Sequence, residues 1–156
     1  MRAILAAVLT GALLAGCGLR TRPAMMEFSD DQGQWLVEIH GAKIERDGWS
    51  LAVTEAKVND VSEVPKLDKL TMEIWNTSDS RPLVLAPKEI YLHGLRGSMV
   101  ELGPYETVVL SAGESAAMEY APGVRAPVTG YPFVINVTVF GNEDLTDPRT
   151  VEITLY

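Results

Sequence analysis

The sequence predicts an all-β fold, an antiparallel β-sandwich that follows an N-terminal signal helix and a flexible tether. Three observations lead there. Apolar residues recur at every second position in several short runs, the period of a strand with one buried face. Gly, Pro, Asn and Asp cluster between these runs at near-regular intervals, as turns do. No window beyond the first residues sustains a helical period over three turns. A closed barrel is the alternative arrangement of the same strands.

The chain of 156 residues opens on an export signal. Arg2 supplies a positive charge, an apolar run from position 3 to 14 is interrupted only by Thr10 and Gly11, and small residues close it at Ala15 and Gly16. A membrane span would need about 20 apolar residues, and this run is shorter. The organisation is therefore residues 1–16 as signal peptide, 17–33 as a cysteine and tether, and 34–156 as one sandwich domain. That length suits a single core.

The four residues Leu14-Ala15-Gly16-Cys17 resemble the lipobox of bacterial lipoproteins, where diacylglycerol joins the cysteine thiol and the signal is cut off ahead of it. The resemblance covers the signal alone and matches at all four positions. It implies Cys17 as the lipidated first residue of the mature chain, carrying fatty acyl chains such as palmitate, with the membrane as first partner. Two or three such chains make a lasting anchor, at about 0.8 kcal/mol for each buried methylene. In this class an aspartate after the cysteine retains the protein in the inner membrane, and here that position is Gly18. The implied location is the periplasmic face of the outer membrane where the envelope has two membranes.

Removing the signal takes away only Arg2, leaving 12 basic against 21 acidic residues and a net charge of −9. Such a surface repels nucleic acid, so that class of partner is excluded. Cys17 is the only cysteine, so no intramolecular disulfide staples the fold. The core must carry stability alone.

The tether, with Arg20, Arg22, Pro23, Asp30 and Asp31, shows no sustained period, and it spans up to about 3.3 Å per residue if extended. Met25 and Met26 carry thioethers that suit Cu(I), but a linker accounts for them. From Trp35 alternation begins, with Trp35, Val37 and Ile39 on one face and Leu36, Glu38 and His40 on the other, up to a bend at Gly41. Asp47-Gly48 between two such runs predicts a hairpin over 44–53. Residues 58–68 read as a polar connection around Pro65. Leu70, Met72 and Ile74 then alternate with Thr71, Glu73 and Trp75 in a strand that ends in a turn-rich stretch from Asn76 to Pro82.

A short strand at 83–85 follows, Pro87 interrupts, and a strand at 90–93 runs on to Gly94. Residues 95–98 read as a turn, 107–110 as a strand, Ala112-Gly113-Glu114 as a turn and 115–120 as a strand. Three prolines and two glycines make 122–132 a long surface connection. Phe133, Ile135, Val137 and Val139 alternate with polar and apolar neighbours, as do Val151, Ile153 and Leu155. The link at 142–149 joins these two strands as an antiparallel pair.

The run from Leu70 to Ser78, then Arg81-Pro82-Leu83-Val84-Leu85 and Leu110-Ser111-Ala112-Gly113-Glu114, resembles the immunoglobulin-like domains of many bacterial lipoproteins. There an apolar strand ends in Asn plus a small polar residue, and a later turn carries Gly-Glu. The resemblance implies an immunoglobulin-like sandwich over 35–156 and carries over no catalytic residue. Periplasmic copper chaperones share this general shape and hold copper with His and Met at loops and strand ends. That likeness implies His93, Met99 and Met118 as copper ligands in a metal-handling alternative, although the spacing departs from the pattern and the second His-x-Met pair is missing.

Gly113-Glu114-Ser115-Ala116-Ala117 imitates a hydrolase nucleophile elbow with alanine for the last glycine, but a turn leading into a strand lacks the helix an elbow needs. His40 and His93 are the only histidines, and nothing pairs them as a base. Asn142, Glu143, Asp144 and Asp147 bring oxygen ligands to one loop, in a spacing that fits a solvated acidic turn better than a calcium loop. The sequons at Asn76 and Asn136 mark a strand end and a strand interior. Trp75 lies off the apolar face, and with Tyr91 and Tyr105 it forms the candidate contact surface, because aromatic anchors dominate interfaces.

These readings combine into an expected function: a lipid-anchored, non-enzymatic binding lipoprotein of the cell envelope, without a cofactor, whose partner is an envelope protein. An open sheet edge supplies the mechanism, because it can add a partner's strand through backbone hydrogen bonds. Periplasmic copper binding is the alternative.

Overall fold

Asp47 and Gly48 form the two-residue turn that the sequence predicts: Arg46 faces Trp49 across it, and Gly48 takes a positive φ of 81°. The structure, a computed structural model, describes residues 25–31, 33–38, 43–59, 63–97, 99–123 and 125–156. The signal, Cys17, the tether up to residue 24 and His40 lie outside the described residues.

Among the described residues twelve strands follow in order: β1 (Met25–Asp30), β2 (Gly33–Glu38), β3 (Lys43–Arg46), β4 (Trp49–Asn59), β5 (Lys66–Asn76), β6 (Leu83–Leu85), β7 (Ile90–Gly97), β8 (Val100–Glu101), β9 (Val108–Leu110), β10 (Ser115–Tyr120), β11 (Val128–Phe140) and β12 (Pro148–Leu155). Every strand pairing is antiparallel. One layer runs β2-β1-β12-β11-β7-β8 and the other β3-β4-β5-β10. Thr129 of β11 pairs with Lys66 of β5, so one sheet curls over at that corner into a sandwich. At the far end of β11, Phe140 pairs with Val84, which brings in β6 and its partner β9.

The period of two places the core. Leu70, Met72 and Ile74 point inward from β5, against Phe133, Ile135, Val137 and Val139 from β11, and all are fully buried. Phe28, Leu51, Val53, Ile90, Leu92, Val151, Ile153 and Leu155 complete the same cluster. Burying each large side chain contributes about 1.5–3 kcal/mol, the main stabilisation of a chain that has no disulfide.

Four boundaries differ from the sequence reading. Met25–Asp30, expected in the tether, is a strand paired on both sides, with β2 and β12, because Phe28 finds a place in the core. The connection expected at 58–68 shrinks to 60–65, since Val58 and Leu67 are buried and extend the β4–β5 ladder. β7 continues through the expected turn at 95–98 as far as Gly97, held by β11 at Arg96 and Gly97. The proline-rich stretch 122–132 enters β11 at Val128. Pro132 immediately precedes Phe133, the first residue of β11 that pairs with β12, so its missing N–H takes no bond from that ladder.

The sandwich has two distinct ends. At the entry end lie Met25, Tyr156, Val128 and the tip of the β7–β8 hairpin. At the opposite end lie the Asp47-Gly48 turn and the loops 77–82 and 141–147.

Candidate functional site

Among the described residues β10 pairs with β5 alone, in unbroken register from Ser115↔Trp75 to Tyr120↔Leu70, so its other edge is open. Natural edge strands are usually blunted by Lys, Pro, a bulge or a covering segment. β10 has none of the first three: its outward residues are Ser115, Ala117 and Glu119, all exposed.

Both ends of this strand are pinned. Asn76 donates its backbone N–H to the Glu114 carbonyl at 2.9 Å and accepts the Gly113 N–H at 2.9 Å. Its buried side-chain amide donates to the carbonyls of Leu110 (2.8 Å) and Arg81 (2.9 Å), and its Oδ1 accepts the Ser78 N–H at 2.9 Å. At the other end the buried Tyr120 hydroxyl accepts the Val128 N–H at 3.0 Å and donates to the Ala126 carbonyl at 3.3 Å. The result is a short strand held straight, with one side available for pairing.

The outer face beside β10 is charged in alternation. Glu55 accepts from Lys57 and Lys69 at 2.6 Å each, and these hydrogen bonds hold its carboxyl at about 2, below the ordinary 4.5. Lys69 is raised in turn by its hydrogen bond to Glu55, with Glu119 adding a smaller push in the same direction. Ser115 donates its hydroxyl to Glu73 at 2.8 Å, and a strand follows it. Its hydroxyl therefore meets a carboxylate on an open face, where an elbow would present it to a histidine.

Trp75 projects from the same face, half-buried, with the Lys43 ammonium 4.9 Å from its ring centroid. Tyr91 projects from the outer face of β7 in the other layer, and Tyr105 is fully exposed in the loop after β8. Of the three aromatics expected to form one contact surface, Trp75 and Tyr91 face apart, because the strands that carry them belong to opposite layers, while Tyr105 follows Glu101, the residue paired with Tyr91.

The copper set is divided in the same way. His93 faces outward from β7 beside Asn136, whose Nδ2 lies 3.2 Å from His93 Nε2. Met118 points into the core from the other layer and is 6% exposed. Met99 is exposed immediately before β8, on the same hairpin as His93. The structure brings His93 and Met99 to one hairpin and places Met118 apart from both, since packed layers stand about 10 Å apart.

In the acidic loop, Asn142 Oδ1 accepts the backbone N–H groups of Thr146 and Asp147 at 3.0 Å each, and Asp144 accepts the Thr146 hydroxyl at 3.0 Å. The oxygens fold the turn upon itself. Among the described residues no group of three His, Cys, Asp or Glu side chains is placed to hold a metal ion.

One feature escapes the sequence reading. At the end opposite the entry, a polar groove of about 790 Å³ collects Arg46, Arg81 and Arg149 with Asp30, Asp47 and Asp147. Arg46 Nε donates to Asp30 at 2.5 Å, Arg81 to the Asp47 carboxylate at 3.2 Å, and Arg149 to the Asp47 carbonyl at 2.6 Å and to Asp147 at 3.0 Å. These pairs cap the core above Trp49. Each arginine stands within two residues of an aspartate in a turn, the one signal that could have marked them.

Compared with known family models, curated proteins and solved structures, the chain matches none, so its function is read from its own residues.

Proposed function

We propose that this protein is a lipid-anchored, non-enzymatic interaction module of a bacterial cell envelope, held to the membrane through Cys17, which binds a partner protein by strand addition to β10. The observation that carries the proposal is the open edge of β10, pinned at both ends and free of Lys, Pro and bulges. Strand addition draws affinity from main-chain hydrogen bonds, so it needs no special side chain on this surface. The lipobox-like residues Leu14 to Cys17 support an envelope location, and Gly18 favours the periplasmic face of an outer membrane. Met118 turns into the core from the other layer, away from His93 and Met99, so the copper set expected from sequence is not gathered at one place, which favours a protein over a metal as the partner.

The test is capture from envelope extract by the lipidated protein after mild crosslinking, read by mass spectrometry. An envelope partner is expected with the native chain and is depleted in a Cys17→Ala version. Ala117→Lys puts a charge on the edge at an exposed position and lowers capture about tenfold, the equivalent of 1.4 kcal/mol. Equal capture by Ala117→Lys overturns the edge mechanism.

A further inference from the structure

We infer that the entry end of the sandwich is a membrane-contact surface, on which Leu95, Met99 and Tyr156, flanked by Lys66 and Arg96, rest in the headgroup layer of an anionic phospholipid bilayer. The inference rests on the lipid-anchor reading of Cys17.

The register brings this end together. Met26 pairs with Leu155, Leu155 with Phe133, and Thr129 with Arg96, so Met25 opens β1, Tyr156 follows the last residue of β12, and Tyr131 and Leu95 lie close to the same ends of the neighbouring strands β11 and β7. The span from where the chain enters to Leu95 is three strand spacings, about 14 Å. Over that span stand Leu95, 72% exposed, and Tyr156, 45% exposed, with Met99, 64% exposed, at the hairpin tip. Beside Leu95 a hollow of about 280 Å³ is lined by Val64, Pro65 and Tyr131, with Glu63 and Arg96 at the same hollow.

Single exposed apolar residues are ordinary. What distinguishes these is that they share an end with the anchor's point of attachment. Cys17 lies eight positions before Met25, and eight residues reach no more than about 29 Å in any conformation. The entry end is therefore the end held nearest the bilayer.

Charge sets the same orientation. Lys66 and Arg96 are exposed at the entry end and outnumber the exposed Glu63 beside them, whereas at the other end the exposed Asp31, Asp47, Asp79, Glu143 and Asp144 outnumber Arg81. A mature chain of net charge −9 is repelled by an anionic surface in most orientations, and the one that offers Lys66 and Arg96 is favoured. Long basic side chains at such a boundary reach the headgroups while apolar neighbours insert beneath them.

The full lipidated chain in phosphatidylcholine–phosphatidylglycerol vesicles tests this. Lipid blocks Cys17, so Leu95→Cys, Met99→Cys and, at the opposite end, Asp79→Cys can each carry one environment-sensitive fluorophore. With nitroxide-bearing lipids, labels at 95 and 99 should lose most of their emission and the label at 79 almost none. Omitting phosphatidylglycerol should weaken the quenching. Vesicle-bound protein whose three labels are equally unquenched overturns the inference and leaves the anchor standing. A shift at 95 that follows protein density and ignores the lipid quencher means that a second copy covers this end, which also overturns it. Mass spectrometry showing an unmodified Cys17 removes the anchor reading and the contact surface with it.

Discussion

Glu55 sits between two ammonium groups, and its protonation reports whether that bridge persists in solution. Its carboxyl is pulled down to about 2, chiefly by the hydrogen bond from Lys57 and then by that from Lys69. A folded pKa below the unfolded value means that the stabilisation is present above the ordinary carboxylate range and is lost as pH falls from 4.5 towards 2. The side chain is 32% exposed and the two lysines that hold it are more so, so the contribution is small and weakened by salt. Carboxyl NMR should show Glu55 titrating near 2, and Glu55→Gln should flatten the acid limb of stability in that window; titration near 4.5 sinks the bridge. Asn76 is the opposite case, 1% exposed and making three side-chain hydrogen bonds. Asn76→Ala should cost about 3 kcal/mol in urea unfolding, at roughly 1 kcal/mol for each lost bond. The sequence shows Asn76-Thr77-Ser78 and Gly113-Glu114 as two turn signals. That they are one joint is not legible, because positions 76 and 113 meet only through the β5–β10 pairing.

Strands whose inward residues alternate cleanly, such as those around Leu70 to Ile74 and Phe133 to Val139, were legible because burial on one face writes a period of two. The elements misjudged are those where backbone pairing overrides composition. β7 and β11 approach so closely that a Cβ on Gly94 would collide with the carbonyl oxygens of Thr129 and Gly130, and one on Gly130 would stand 2.6 Å from the Arg96 nitrogen. Both glycines look like turn residues in sequence, and both serve the close contact of two strands. Gly94→Ala should therefore cost on the order of 3 kcal/mol, the upper range for forced overpacking. Gly113→Ala, where a Cβ meets nothing within 4 Å, isolates the cost of a positive φ alone. If the two variants unfold at the same urea concentration, the β7–β11 approach is looser than the structure has it.

At the scale of the molecule, the decisive boundary is where the tether ends and the sandwich begins. Composition alone reads Met25–Asp30 as tether, because one aromatic among methionines and acids has no readable period. The structure makes it β1, between β2 and β12, with Phe28 1% exposed in the common core. The two readings differ in energy. Phe28→Ala in a tether would leave stability unchanged, whereas removing a ring from the core should cost about 3–5 kcal/mol. Glu27→Ala, whose half-exposed side chain alternates with Phe28 on β1, serves as the control and should shift little. Urea midpoints of the two variants decide the matter, and a near-neutral Phe28→Ala would return β1 to the tether. The outcome reaches the proposed function, because a chain that joins the sandwich at Met25 has only eight positions in which to separate Cys17 from the fold. On the proposed lipid anchor, so short a link would hold the entry end towards the bilayer and turn the β10 edge sideways, within reach of a neighbouring envelope protein.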